Sequence, residues 1–161
     1  MEHYLFKRPI IGFNFVKESI IDLIKTSSSI YHNTEKERHQ TDYHLSKDIR
    51  RSYEQVIMPH VLDHMRAFEQ QYKFSGIELH HLWFQWYREG DYHNWHVHPY
   101  CHFTNILYVS LPNKSLATNV NGIDVDVQEG DILTFPSFIL HQAPTVGDAE
   151  KIIISFNTNI I

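Results

Sequence analysis

Two histidines placed two positions apart, in Trp95-His96-Val97-His98-Pro99, are the residues whose spacing points most directly to chemistry. In an extended strand, residues i and i+2 point to the same face, so both imidazoles can converge on one point. A third, His141, follows the apolar run Ile132 to Pro136. In a closed barrel, strands distant in sequence face one another across the interior, so a third ligand can come from there. Three neutral imidazoles suit zinc, iron, copper or nickel. The chain has 13 histidines, so most of them must do something else. His80 and His81 are adjacent, and a strand would turn them to opposite faces. His60 and His64 share a helix face at i, i+4 and could chelate, but no third ligand is spaced to join them. His3, His32, His39 and His44 read as solvated. His93 and His102 read either as support for the site or as surface.

Residues so far apart need a frame to bring them together. From Phe13 to about Phe74 the apolar pattern is helical. Val16, Ile20, Ile21, Leu23 and Ile24 form one stripe that ends near the polar run Thr26 to Ser29. A second helix is expected from about Ser46, carrying Ile49, Tyr53, Val56 and Ile57, with Pro59 breaking or kinking it. Val61, Leu62, Met65 and Phe68 continue a helical face toward Tyr72. Beyond Gly76 the texture changes to short β-type runs: Ile77 to Arg88, Phe103 to Leu111, Ile123 to Val127, Ile132 to Phe135 and Lys151 to Phe156. Turn signals separate them, and Asn121-Gly122 is a strong hairpin signal between Ala117–Val120 and Ile123–Val127. Helices followed by about eight short strands read as a mainly β fold, a barrel or jelly roll buttressed by helices. The expected organisation is one domain, with residues 1–75 as a helical buttress and residues 76–161 as the β core.

Bulk properties exclude some classes. A chain of 161 residues is the length of one domain and can bury a real core. Its net charge of −5 offers no reason to expect nucleic acid as a partner. No apolar run approaches the ~20 residues that cross a bilayer, and Met1 to Pro9 has no signal-peptide core. A lone Cys101 cannot form an intrachain disulfide, which fits a reducing, cytoplasmic setting. The apolar Ile160-Ile161 end could add a strand to a partner copy, as in a homodimer.

Read continuously, Gly90 to Pro99 resembles the first motif of a family of 2-oxoglutarate/Fe(II) oxygenases whose metal motif is H-x-H-P. The likeness extends to Asn105-Ile106-Leu107-Tyr108-Val109-Ser110-Leu111-Pro112 and to Glu129 through Ser137, followed by His141. It closes on Glu150-Lys151-Ile152-Ile153-Ile154-Ser155-Phe156-Asn157, similar to that family's E-R-I-S-I-S-F-N. It covers about residues 83 to 158 and implies a double-stranded β-helix. It also implies iron on His96, His98 and His141, with open positions for 2-oxoglutarate and O₂. In the wider superfamily an arginine about ten residues after the last histidine holds the far carboxylate of 2-oxoglutarate, and Lys151 falls there. Tyr108 occupies the position of a tyrosine that supports the same carboxylate, with Thr104 nearby, and Tyr87 resembles another pocket tyrosine. The implied activity is O₂-driven hydroxylation or a related oxidation. Arg88, His93, Asn94 and Trp95 are expected to line the approach to the metal.

Three positions depart from the superfamily pattern. His98 stands where a carboxylate ligand is usual, a feature shared by the H-x-H-P family. Lys151 stands for arginine, and Ile153 for the serine two residues beyond. The same residues also resemble a cupin: Gly90, five residues, then His96-x-His98, and later Gly130, Pro136 and His141. The cupin glutamate after His98 is missing. A three-histidine cupin dioxygenase that needs no 2-oxoglutarate is the alternative enzyme, and the barrel is common to both. A third reading is a binding or regulatory module with a structural metal site, in which Trp83, Trp86 and Trp95 are core and interface aromatics. A three-histidine zinc hydrolase has only the ligand set in its favour.

Overall fold

The first apolar stripe becomes a helix where expected. In the computed structural model, which describes residues 3–161, β1 (Phe6–Pro9) precedes α1 (Phe13–Lys25). Then follow β2 (Ile30–Asn33), β3 (Glu37–Thr41), α2 (Glu54–Tyr72), β4 (Ile77–Tyr87), β5 (Tyr92–His96) and β6 (Phe103–Ser110). The chain closes with β7 (Asn119–Val120), β8 (Ile123–Asp124), β9 (Asp131–Pro136), β10 (His141–Ala143) and β11 (Lys151–Ile160). All strands join one antiparallel sheet in the order β1-β9-β6-β11-β4-β3-β5-β10-β7-β8, with β2 paired to β3.

This sheet curls on itself. The Tyr108 hydroxyl of β6 reaches Thr118 beside β7, and the Lys151 ammonium of β11 reaches the Leu116 carbonyl, although four strands separate β11 from β7 in the sheet. Side-chain alternation along β11 then divides two cores. Ile152, Ile154 and Phe156 point outward and pack with Phe84 and Leu107 under Ile20, Ile24, Ile57 and Val61 of the helices. Ile153 points inward, among Tyr87, Ile106, Tyr108 and Phe135. Each helix-borne isoleucine or valine so buried stabilises the fold by about 1.5–3 kcal/mol. Buried on both faces, β11 is the rigid rail from which Lys151 is presented.

The first 75 residues are less helical than expected, because β1, β2 and β3 lie among them. Glu37-Arg38-His39-Gln40-Thr41 carries no apolar alternation. It is a strand because β2, β4 and β5 pair with it, which is tertiary information. The second helix starts at Glu54 and not near Ser46, so Ile49 lies outside it. Arg51 is buried and donates to the Asp42 carboxylate and to the carbonyls of Leu45, Ser46 and Ile49, wrapping that segment into a loop. Pro59 does not break α2, which continues to Tyr72. Burial of Ile57, Val61, Met65 and Phe68 along the helix offsets the lost hydrogen bond. The Asn121-Gly122 hairpin forms, with φ 52° and 84° and Val120 opposite Ile123, but its strands are only two residues each. At the Ile160-Ile161 end β11 pairs with β4 alone, since β6 reaches only Thr158, and the Ile161 amide donates to the Gly76 carbonyl.

Gly130 turns the chain into β9 at φ +88°, where a Cβ would lie 2.8 Å from both Cβ and Cγ of the core residue Phe13. Gly130→Ala is expected to destabilise the fold by roughly 2–4 kcal/mol, combining left-handed backbone strain with displacement of that ring. Urea unfolding measures it, and a loss under 1 kcal/mol would contradict the packing described.

Candidate metal centre

His96 closes β5, and its partner across the ladder is His141, the first residue of β10. His98 lies two residues past the end of β5, held by its amide donating to the Ser137 carbonyl (3.0 Å). Convergence therefore comes from the ladder and this tether rather than from alternation along one strand. Ring centroids are 4.2 Å apart for His96 and His141, 4.9 Å for His98 and His141, and 5.3 Å for His96 and His98. The potential donor atoms all lie within 4.8 Å of one another.

The orientation of each ring is fixed from behind. Nδ1 of His96 meets the Asn94 carbonyl at 2.7 Å, Nδ1 of His98 meets Oδ1 of Asn157 at 2.8 Å, and Nδ1 of His141 meets the Ile139 carbonyl at 3.0 Å. All three partners are oxygens, so each Nδ1 carries the hydrogen and donates it. The lone pair is left on Nε2, which is how protein groups orient metal-binding imidazoles. Burial lowers the proton affinity of all three rings, that of His96 to about 4. They are neutral at physiological pH, the form that binds metal.

Behind this triad lies a second polar layer. Lys151 is fully buried. Its ammonium donates to the Leu116 carbonyl at 2.7 Å and sits 4.7 Å from the centre of the Tyr87 ring. Among the described residues no carboxylate lies within 4.0 Å of it, and burial alone lowers its pKa to about 7. Neither Glu150 nor Asp148 pairs with it. Glu150 instead binds Lys25 and accepts from the Trp86 indole. Tyr108 is equally buried and donates to Thr118 at 2.9 Å, so its hydroxyl and the Lys151 ammonium both end on the segment 116–118. Thr104 is fully buried, and among the described residues its hydroxyl has no partner. It lines a small inner cavity of about 20 Å³, together with the triad, Tyr87, Ile106 and Thr118. An outer cavity of about 500 Å³ opens from His96 and His98 to Tyr43, Trp83, His81 and Tyr100.

Some sequence expectations are corrected here. His39 is buried, not solvated, and hydrogen-bonds Glu37 at 3.1 Å. His93 lines the cavity, whereas Arg88, Asn94 and Trp95 do not. Arg88 lies over Trp86, and Asn94 donates to the Glu35 carbonyl. The cause is a bulge in β5: β10 pairs His141 with His96 and Ala143 with His93, so two steps of one strand span three of the other. His93 therefore faces the way His96 does, and the rings stack at 3.6 Å. A bulge leaves no signature in this sequence, but Glu37-x-His39 repeats the i, i+2 spacing of His96-x-His98 and was a readable signal. His64 is buried in the core and pairs with Thr134 at 2.7 Å, so it is not free to chelate with His60. His102 accepts from the Ile160 amide at 2.9 Å and secures the end of β11.

No protein-family model and no curated protein sequence matches the chain. Solved structures do. A prolyl-4-hydroxylase from Pseudomonas putida superposes with a TM-score of 0.72 at 12% identity, over 98% of this chain and 94% of that one. A viral collagen prolyl hydroxylase from Paramecium Bursaria Chlorella virus-1, in complex with 2-oxoglutarate, gives 0.70 at 15%, over 99% and 98%. An oxidoreductase of the 2OG-Fe(II) oxygenase family from Burkholderia pseudomallei gives 0.77 at 9%, over 98% and 86%. The fold is the double-stranded β-helix that these oxygenases share. Among the described residues no helix is long and apolar enough to cross a membrane.

Proposed function

We propose that this protein is a 2-oxoglutarate- and Fe(II)-dependent oxygenase. In this reading Nε2 of His96, His98 and His141 holds the iron. When bound, the iron supplies the redox chemistry that couples O₂ reduction to oxidation of 2-oxoglutarate and of a second substrate. The observation that carries the reading is Lys151, fully buried with no anionic partner among the described residues, on the strand that also sends Asn157 to His98. A buried lysine without a counterion is costly as a cation and tends to lose its proton, so its place in the interior points to an anionic ligand that restores the charge. The far carboxylate of 2-oxoglutarate answers it, with the Thr104 and Tyr108 hydroxyls as further donors and the Tyr87 ring as a wall. The three ligands are neutral, so the dication gains its only compensating charge from the 2-oxo acid end. This makes the two bind in concert.

The inner cavity holds about one water at its present size. The segment 116–118, on which the Lys151 ammonium and the Tyr108 hydroxyl both end, must therefore move aside, while β11 and the ligand-bearing β10 stay in place. The outer cavity, walled by Tyr43, Trp83 and Tyr100, is where the second substrate enters. The test is anaerobic titration of the iron-loaded protein with 2-oxoglutarate. A visible metal-to-ligand charge-transfer band that saturates at one equivalent is expected. Iron loading without that band would favour the cupin-type alternative.

A further inference from the structure

β3 and β5 build a second ligand cluster beside the first. Glu37 and His39 are two apart on β3, Glu37 lies opposite His93 across the ladder, and the three donor groups lie within 4.8 Å of one another. One carboxylate oxygen, Oε2 of Glu37, is 3.1 Å from Nε2 of His39 and 3.1 Å from Nε2 of His93. Ligands bound about 2.1 Å from a common ion stand about 3 Å apart when they are neighbours in its coordination shell, so the spacing suits an ion as well as a hydrogen bond.

Hydrogen bonding alone leaves this cluster unsatisfied. His39 is 2% exposed, yet its Nδ1 has no partner among the described residues. The Gln85 amide nitrogen lies 3.2 Å from Nδ1 of His93 and 3.5 Å from Nε2 of His39, while its oxygen accepts from Ser155. If both imidazoles donate to Glu37 through Nε2, the amide donor faces another donor at His39. Turning that amide over would let its oxygen accept from Nδ1–H of His93 and free the Nε2 lone pair, the arrangement a ligating imidazole needs. All three side chains border the outer cavity, so an ion has a route in.

We propose that Glu37, His39 and His93 form a second site for a divalent first-row transition ion, next to the three-histidine centre and opening on the same cavity. Two imidazoles and one carboxylate are the donor set such ions take. The His93 and His96 rings, stacked at 3.6 Å, form the wall between the two sites. Glu37 is the only negative ligand among the six, and repulsion between two dications makes whichever ion binds second bind more weakly. The site stands whichever cosubstrate serves the first centre.

Calorimetric titration of the metal-stripped full chain with Co²⁺ tests this. The wild type is expected to take one more ion than Glu37→Gln, which keeps the ion of the three-histidine centre. His141→Ala should show the reverse, losing the ion of the three-histidine centre and keeping that of the Glu37 cluster. His39→Gln, which touches none of the three histidines of the first centre, should repeat the result of Glu37→Gln. Equal stoichiometry in the wild type and Glu37→Gln overturns the proposal. So does loss of both ions in Glu37→Gln and His39→Gln, which would make the cluster a support for the first centre only.

Discussion

Alanine at His141 should leave a folded protein that no longer retains iron through desalting, whereas the wild type keeps one ion per chain. His141 is the residue that ties β10 to β5 at the centre, and without it two imidazoles remain to hold a labile dication. His96→Ala should behave alike. Two milder changes separate ligation from support. Asn157→Ala removes the acceptor at 2.8 Å that orients His98, and should weaken iron binding by about 10- to 100-fold without abolishing it. His98→Asp converts the ligand set to two histidines and a carboxylate, the common facial arrangement for non-haem iron, and should retain the metal. Elemental analysis after desalting gives the stoichiometry, and circular dichroism confirms that each variant is folded. Full iron occupancy in both His96→Ala and His141→Ala would show that the centre is not this triad.

Removing the ammonium in Lys151→Ala should cost roughly 2–4 kcal/mol of 2-oxoglutarate affinity, about 30- to 1,000-fold, with iron binding intact. The pH dependence gives a sharper signature. Burial lowers this lysine to about 7, so without a bound anion it is largely neutral at pH 9. An anion that binds only the charged form must then bring a proton with it. Wild-type affinity is therefore expected to fall about 50-fold between pH 7 and pH 9, by linkage. Lys151→Arg keeps its charge over that range and should show no such fall. The same depression acts on the fold with a definite sign. Between about pH 7 and the unfolded lysine's pKa the unfolded chain binds the proton that the folded chain lacks, so the anion-free protein gains stability as pH rises through that window. Affinity that is flat from pH 7 to pH 9 in the wild type, or unchanged in Lys151→Ala, would remove the carboxylate role from this residue.

Much of the architecture was readable because it is written in local periodicity. The stripe from Val16 to Ile24 has a helical period, and the runs that became β4, β6, β9 and β11 are rich in β-branched and aromatic residues between turn signals. Asn121-Gly122 specified its hairpin because both residues tolerate positive φ. The spacing of His96, His98 and His141, with Lys151 ten positions further on, was likewise visible. What the linear order could not carry is whatever depends on partners from elsewhere in the chain. β3 is polar and is a strand only because β2, β4 and β5 pair with it. Arg51 shortened the second helix by gathering carbonyls from the loop before it.

The site divides in the same way. Residue type and spacing determined that three histidines could meet. Only the ladder between β5 and β10, with its extra residue in β5, decided that His93 stacks on His96 and that Arg88, Asn94 and Trp95 lie elsewhere. The apolar run from Lys151 to Ser155 pointed to burial of Lys151, with a strand start at the surface as the alternative. Tertiary structure decided for the inside, because curling of the sheet carries the segment 116–118 over the strand end and closes it off from water. A period of two says that neighbours along a strand face opposite ways. It cannot say which face becomes the interior, since that depends on where the rest of the sheet folds.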